Sequence, residues 1–446
     1  MVSLRTDHKL ERRQAYASTI ENFALSSIMD GNQILALGLG LEAPWKLVDQ
    51  HLDVSSSPHQ LHLTVEADRG SLFPCPECGQ ACPAHDYKEL TWRHLNFFQH
   101  HCFLHARTPR TRCPEHGIKR IHVPWARKGS DFTLLFEQAA MTLMREMPVL
   151  AAARFMEVTD KRLWRMLEYY VQQNLTQWDL SAVRKLALDE TASKRGHNYV
   201  TIFLDMDRVN RPVIFAVPGR GKDTVKAFSE FLKQHKGQPE QVVEVVCDMS
   251  KAFLSGVDEA LPNAEVTIDW FHVVQIFNKA VDQVRKQERK DGSHSKGVRW
   301  AVLKNSDHEQ LTRHQITALS ELLSEDKETG KAWFIKEKLR WIRDVKTPRQ
   351  ARWRLTHFIN HARDVLGDSP LQSPMYEALE TLKRHSERIV RRITSDLTNA
   401  RLEGMNSLFQ AARARARGYR NTKNFINMIY LIGSPIEVQV QSGKST

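Results

Sequence analysis

The chain has 446 residues, with 64 Lys+Arg against 52 Asp+Glu, a formal net charge of +12 and a pI near 9.4. That length admits two or three domains with cores of their own, and the basic excess favours a polyanionic partner, nucleic acid before others. No run of eighteen apolar residues occurs, the charged N-terminus lacks a signal-peptide core, and five of the six cysteines cluster between 75 and 113; these exclude a spanning segment and a disulfide scaffold and point to metal in a reducing, cytoplasmic compartment without a membrane partner.

Residues 1–33 read as a polar, mixed N-terminal extension. From 34 to 126 the chain is β-rich: Leu61, Leu63 and Val65 alternate with polar residues, as in half-buried strands. Within it "CPECG" spaces Cys75 and Cys78 by two residues, and "CPEH" spaces Cys113 and His116 likewise. Two such knuckles complete one tetrahedral, structural Zn²⁺ site, with the residues between them forming a β-hairpin of a zinc ribbon. Cys82 and His85 compete for the fourth position, whereas Cys102, in an apolar-alternating run, reads as a small core residue.

Residues 127–180 predict three successive helices, with Pro148 at the start of the second and Thr159 capping the third. The last two form a helix-turn-helix whose second helix would present Lys161, Arg162 and Arg165 to a major groove. Residues 181–275 open on short strand-like runs and then alternate strand and helix, an α+β or α/β core with a mixed sheet. There Asp189 is expected at the end of the first strand and Asp248 at the end of the fourth, while Asp205 and Asp207 belong to a turn. Two carboxylates brought together at a sheet edge repel unless cations join them, and Mg²⁺ takes one or two carboxylates with phosphate oxygens. Residues 276–390 read as helical, with Trp300, Trp333, Trp341 and Trp353 as packing anchors. Residues 391–446 return to amphipathic helix, rich in arginine from Arg401 to Arg420 and headed by a single acid, Glu403.

The segments "LALDE", "VVCDMSKAF", "IDWFHV" and "NARLEGMNSLFQAARARARGYRN", with both knuckles, resemble bacterial insertion-sequence transposases of the ISL-three type, a DDE class. The resemblance spans roughly residues 34–434. It implies a multidomain α+β protein: zinc ribbon, helix-turn-helix, and a ribonuclease H-like catalytic core (181–275 and 391–446) interrupted by an all-helical insertion (276–390). By the same resemblance Asp189, Asp248 and Glu403 are the catalytic carboxylates and hold two Mg²⁺ or Mn²⁺ ions, supported by Asp269 and His272. Zn²⁺ on Cys75, Cys78, Cys113 and His116 is structural, although cysteine is common in the family where this chain has His116. The insertion is expected either to help bind DNA or to serve as scaffold.

The function so implied is binding of the element's terminal inverted repeats, metal-dependent cleavage there, and joining of the freed 3′ end to target DNA. Arg413, Arg415, Arg417 and Arg420 would neutralise backbone phosphates, although successive odd positions of a helix cannot all share one face. Synapsis of two ends implies a homodimer or higher oligomer, working in the bacterial cytoplasm at the nucleoid. Two rival readings are a DNA-binding regulator with an inactive core and a ribonuclease H-type nuclease.

Overall fold

The computed structural model describes residues 31–438 except 195, 197, 291–297, 305–310, 326, 396, 398 and 399. Residues 1–30 of the expected N-terminal extension and residues 439–446 of the expected C-terminal segment lie outside the described residues. The described residues divide into two compact units: 31–146 with 152–159 and 437–438, and 147–151 with 160–436.

In the first unit, helix α1 (Gly31–Gly38) precedes strands β1 (Trp45–Asp53), β2 (Gln60–Ala67), β3 (Leu72–Pro74), β4 (Ala81–Phe97), β5 (His100–Cys113) and β6 (Gly117–Arg120). The sheet runs β1-β2-β5-β4-β3, with β6 on β5. The expected alternation is realised in β2: Leu61, Leu63 and Val65 are buried while His62 and Thr64 are only partly covered. They join Cys102, Leu104 and three tryptophans in one core, where Trp45 and Trp92 each meet Trp125 edge-on. Cys102 is thus a core residue.

Helices α2 (Leu134–Glu146), α3 (Val149–Phe155) and α4 (Asp160–Thr176) follow, with Pro148 directly ahead of α3 and Glu157 at φ 55° in the turn before α4. The sequence places residues 127–180 together as one segment. In the structure the division falls inside it, because α4 packs on the C-terminal helix of the second unit.

The second unit is built on strands β7 (Lys185–Lys194), β8 (Asn198–Asp205), β9 (Val213–Pro218), β10 (Glu244–Cys247) and β11 (Glu265–Ile268), ordered β11-β10-β7-β8-β9. β7, β8 and β9 are antiparallel neighbours, whereas β10 and β11 run parallel to β7. The two parallel returns are made by α5 (Lys222–Gln234) and α6 (Lys251–Ala260), as crossovers require. Phe203 of β8 stacks on Phe228 of α5 at 4.4 Å between ring centres, both fully buried. Phe228→Ala is expected to lower unfolding free energy by about 3–5 kcal/mol, read from denaturant midpoints; a loss under about 1 kcal/mol would show that this stack does not anchor the helix.

A helical stretch follows: α7 (Trp270–Lys290), α8 (Val298–Leu303), α9 (Arg313–Ser324), α10 (Glu328–Arg343), α11 (Pro348–Leu366), α12 (Ser373–Arg384) and α13 (Ser386–Arg391). Glu288 of α7 is buried and accepts from the amides of Glu328 and Thr329, both at 3.0 Å, so its charge caps the N-terminus of α10. Arg391 returns the chain to the sheet edge by donating to the Val266 carbonyl at 3.2 Å. The tryptophans are only partly the anchors expected: Trp333 packs against the core, but Trp300 and Trp353 are each 55% exposed. Trp353 instead lies against Trp341 and His357 at the surface.

The last elements are α14 (Ala400–Arg415) and α15 (Thr422–Gly433). α14 buries Leu402, Phe409 and Ala412. α15 comes so close that a Cβ on Gly433 would lie 2.5 Å from Val213. The buried Tyr430 hydroxyl accepts from the Ala216 amide at 3.0 Å, fixing α15 on β9. Among the described residues no helix is long and apolar enough to cross a membrane.

Candidate active site and metal centre

Each cysteine knuckle is the turn of a hairpin. β3 pairs with the start of β4 around residues 75–80, where the Cys75 amide donates to the Gln80 carbonyl at 2.8 Å. The second knuckle joins β5 to β6, with Cys113 opposite Gly117. Both close on a glycine at positive φ, Gly79 at 73° and Gly117 at 69°, a conformation that a side chain would oppose. The long β4–β5 hairpin sets Ala84 opposite Thr111, which lays the two turns side by side.

Cys75, Cys78, Cys113 and His116 then offer ligand atoms all within 4.8 Å of one another. Cys78 Sγ and Cys113 Sγ are 3.7 Å apart, against roughly 3.8 Å for the edge of a tetrahedron with Zn–S bonds near 2.3 Å. His116 presents Nδ1 at 3.5 Å from Cys113 Sγ. His116, rather than Cys82 or His85, offers the fourth potential ligand atom of this set. Cys82 Sγ donates to the Gln80 carbonyl at 3.4 Å and, like His85, stands outside the set.

The carboxylate site forms where the parallel strands end. Pairing sets Val246 opposite Ala187 and Cys247 opposite Ile268. Continued past the ends of β10 and β11, that register sets Asp189, Asp248 and Asp269 at corresponding positions of three adjacent strands, and the Asp269 amide still donates to the Cys247 carbonyl at 3.4 Å. One expectation needs correcting. Asp189 does not end its strand: β7 runs on to Lys194, paired with β8 alone. It lies at the sheet's edge because β10 stops beside it.

Asp248 and Asp269 each occupy a strand-to-helix junction. Asp248 Oδ1 accepts from the Ser250 amide at 2.9 Å, and Asp269 Oδ1 accepts from the Phe271 amide at 3.2 Å. Burial pushes the Asp189 carboxyl up to about 6, and the Asp248 and Asp269 charges add to this, opposed by the Glu190 amide and His272. Burial there disfavours the ionised carboxylate, a cost that a cation at this position would offset. His272 Nε2 lies 3.9 Å from Asp269 Oδ2, so the expected supporting pair is adjacent.

α14 crosses this edge. Its Asn406 donates to Asp189 Oδ2 at 2.8 Å, and its Gln410 donates to the Ala192 carbonyl at 3.2 Å. Glu403 stands one turn before Asn406 and borders a cleft with Asp269. Partial burial and the Asp269 charge raise its carboxyl above the usual range, while His272 opposes them. Among the described residues, only the Cys75–His116 set brings three or more ligand atoms within 4.8 Å of one another. Asp189, Asp248 and Glu403 form no such set, and the cleft that Glu403 and Asp269 border is lined by neither Asp189 nor Asp248. Sequence reasoning missed Asn406 and Gln410, although their i+3 and i+7 spacing from Glu403 was a usable signal.

Of the arginines beyond Glu403, Arg413, Arg417 and Arg420 line one groove of about 700 Å³ with Lys194, and Arg415 does not line it. On α4, Lys161, Arg162 and Arg165 are exposed, opposite the buried Leu163, Met166 and Leu167.

A transposase family model matches residues 186–429, more than half of the chain and the whole of this site. The chain belongs to transposase family ISL3. The family's helix-turn-helix domain matches residues 121–171, and the zinc-finger of transposase IS204/IS1001/IS1096/IS1165 matches residues 71–116, which contain all four clustered ligands. The transposase for insertion sequence element IS1001 of Bordetella parapertussis is 28% identical over 79% of this chain and 86% of its own length. The transposase for insertion sequence element IS1557 of Mycobacterium tuberculosis is 25% identical over 81% of this chain and 85% of its own. This member of the family is therefore a DDE transposase with a DNA-binding helix-turn-helix and a zinc ribbon.

Proposed function

We propose that the protein binds the terminal inverted repeats of its own element, hydrolyses a phosphodiester at each end and joins the freed 3′ hydroxyl to target DNA, with Asp189, Asp248 and Glu403 as the catalytic carboxylates. The observation that supports this reading is Asp189 lying within reach of the Asp248 and Asp269 charges and bonded to Asn406 of the helix that bears Glu403. So many carboxylates at a partly buried edge call for cations. Two Mg²⁺ or Mn²⁺ ions held there would supply Lewis-acid stabilisation of charge at phosphorus and a more acidic attacking water. Asn406 orients Asp189 through its bond to Oδ2, and His272 moderates the negative charge around Asp269 and Glu403. The groove of Lys194, Arg413, Arg417 and Arg420 supplies sequence-independent phosphate contacts.

The strand order, with three antiparallel strands followed by two parallel to the first, supports a ribonuclease H-like core, and residues 276–390 are then an insertion between its Asp248 and Glu403 ligands. A Zn²⁺ ion on Cys75, Cys78, Cys113 and His116 would hold the ribbon, leaving no open coordination position. Pairing of two element ends implies a dimer or higher oligomer acting at the nucleoid in the bacterial cytoplasm.

Incubating the protein with end-bearing DNA and Mg²⁺ tests the reading. Cleavage followed by joining is expected; binding alone would indicate an inactive regulator, and cutting without joining a nuclease. In the same system Arg162→Ala with Arg165→Ala is expected to weaken end binding and to flatten its log–log salt dependence by about 0.9 for each phosphate no longer neutralised. An unchanged slope in a salt titration would remove α4 from the DNA interface.

A further inference from the structure

The helical stretch between the strands and Glu403 reaches into the catalytic cleft with arginine. The cleft holds about 910 Å³ and is bordered by Asp269 and Glu403 on the catalytic side. The same cleft is lined by Arg340 and Arg343, one turn apart on α10, and by Arg392, just past α13. Not every cation there is available to a ligand. Lys336 is buried, pairs with Glu337 at 2.8 Å and donates to the Val302 carbonyl at 2.8 Å, so it ties α10 to α8.

The three arginines are held differently. Arg343 is half-exposed, and its Nε donates to the neighbouring Asp344 at 3.1 Å. Arg340 lies 3.6 Å from Glu337. Arg392 lies over the Trp270 ring at 5.6 Å from its centre, a stacking that fixes the guanidinium plane. Burial pushes the Arg392 guanidinium below its usual range, and the adjacent Arg343 charge pushes the same way, while Asp269 and Asp344 oppose. Two guanidiniums thus line one cleft against their own repulsion, together with Asp269 and with Glu403, one of the acids proposed to hold metal. An anion between them relieves that repulsion, and guanidinium pairs suit a phosphodiester because each can offer two parallel N–H donors.

We propose that Arg340, Arg343 and Arg392 form a phosphate-binding trough that grips the DNA strand one or two linkages from the bond cut beside Glu403. This rests on the cleavage reading above. It gives the helical stretch a task distinct from scaffold: α10 and the end of α13 bring charge to the cut site, and they fix the strand's position rather than recognise its sequence. The basic groove at the far end of α14 is a separate contact, formed by other residues.

The test replaces single phosphates near the cut with neutral methylphosphonates and compares the full-length native protein with Arg343→Gln and Arg343→Lys. With native protein, one or two neutral linkages are expected to slow cleavage by about 10- to 100-fold. Arg343→Gln should cut unmodified DNA more slowly by a similar factor and lose no more at those linkages. Its affinity for end DNA should stay within about threefold, because most phosphate contacts lie elsewhere, and Arg343→Lys should recover part of the rate. Arg343 is exposed, so loss of fold is not expected; matched melting curves check it. A native rate for Arg343→Gln on unmodified DNA, or native sensitivity to the neutral linkages, would overturn the trough. Failure of native protein to cut unmodified DNA with either Mg²⁺ or Mn²⁺ would instead overturn the cleavage reading, and the trough with it.

Discussion

Glu403→Gln is expected to bind end-bearing DNA as the native chain does, yet to cut and join it at least about 10³-fold more slowly. The substitution keeps the size and hydrogen-bonding reach of the side chain and removes only its charge. Glu403 is exposed at the head of α14, and the helix is anchored by other residues, the buried Leu402 and Phe409. Folding should therefore be nearly untouched, and DNA contacts on α4 are remote in sequence. If the acid holds a metal at phosphorus, a neutral amide in its place leaves the chemistry without that ligand. The measurement is single-turnover cleavage of labelled end DNA beside a binding titration. Native cutting by this variant would remove Glu403 from the site; a parallel loss of binding would make its role structural.

Removal of the ribbon's metal should have the other large effect. The turns holding Cys75, Cys78, Cys113 and His116 have little apolar packing of their own: the buried cluster there consists of Cys75, Cys82 and Cys113. Structural zinc in such settings contributes an apparent 10–16 kcal/mol or so, far more than three small side chains. Chelation, or Cys113→Ser, is thus expected to expose the amides of β3, β6 and the adjoining ends of β4 and β5 to hydrogen exchange. The other end of the same hairpin should stay protected, because Trp92 and Leu104 lie in the separate tryptophan-rich core. Purified protein that carries no zinc, with exchange indifferent to chelator, would defeat this reading of the knuckles.

Much of this was legible in the residues, for physical reasons. Alternation marked β2, and short strand-like runs between helices marked β10 and β11, because these strands are covered where their apolar residues fall. The knuckles were legible because metal-ligand spacing is local. What sequence could not supply was register. Nothing local says that β10 stops beside Asp189 while β7 continues to Lys194, since that depends on which strand pairs on each side. The alignment of Asp269 with Asp189 and Asp248 comes from the same source. Helical periodicity did rule out one shared face for Arg413, Arg415 and Arg417, and the groove takes the first and last. Arg340 and Arg343 carried no signal, because a charged pair on a helix looks the same whether it meets solvent or a cleft.

α14 carries two parallel stripes. Leu402, Phe409 and Ala412 form one, sunk in the core; Glu403, Asn406, Gln410 and Arg413 form the other, laid along β7 and the basic groove. The helix is therefore a ruler as well as a support. Ten residues of rise separate Glu403 from Arg413, about 15 Å, or between four and five base steps of duplex at 3.4 Å each. Because the apolar stripe keys the helix to the core, neither end of that interval can slide or turn without the other. One residue deleted between them would swing Arg413 about 100° off the groove and leave the acid where it is, so the interval between the acid and the arginine is set by the backbone itself.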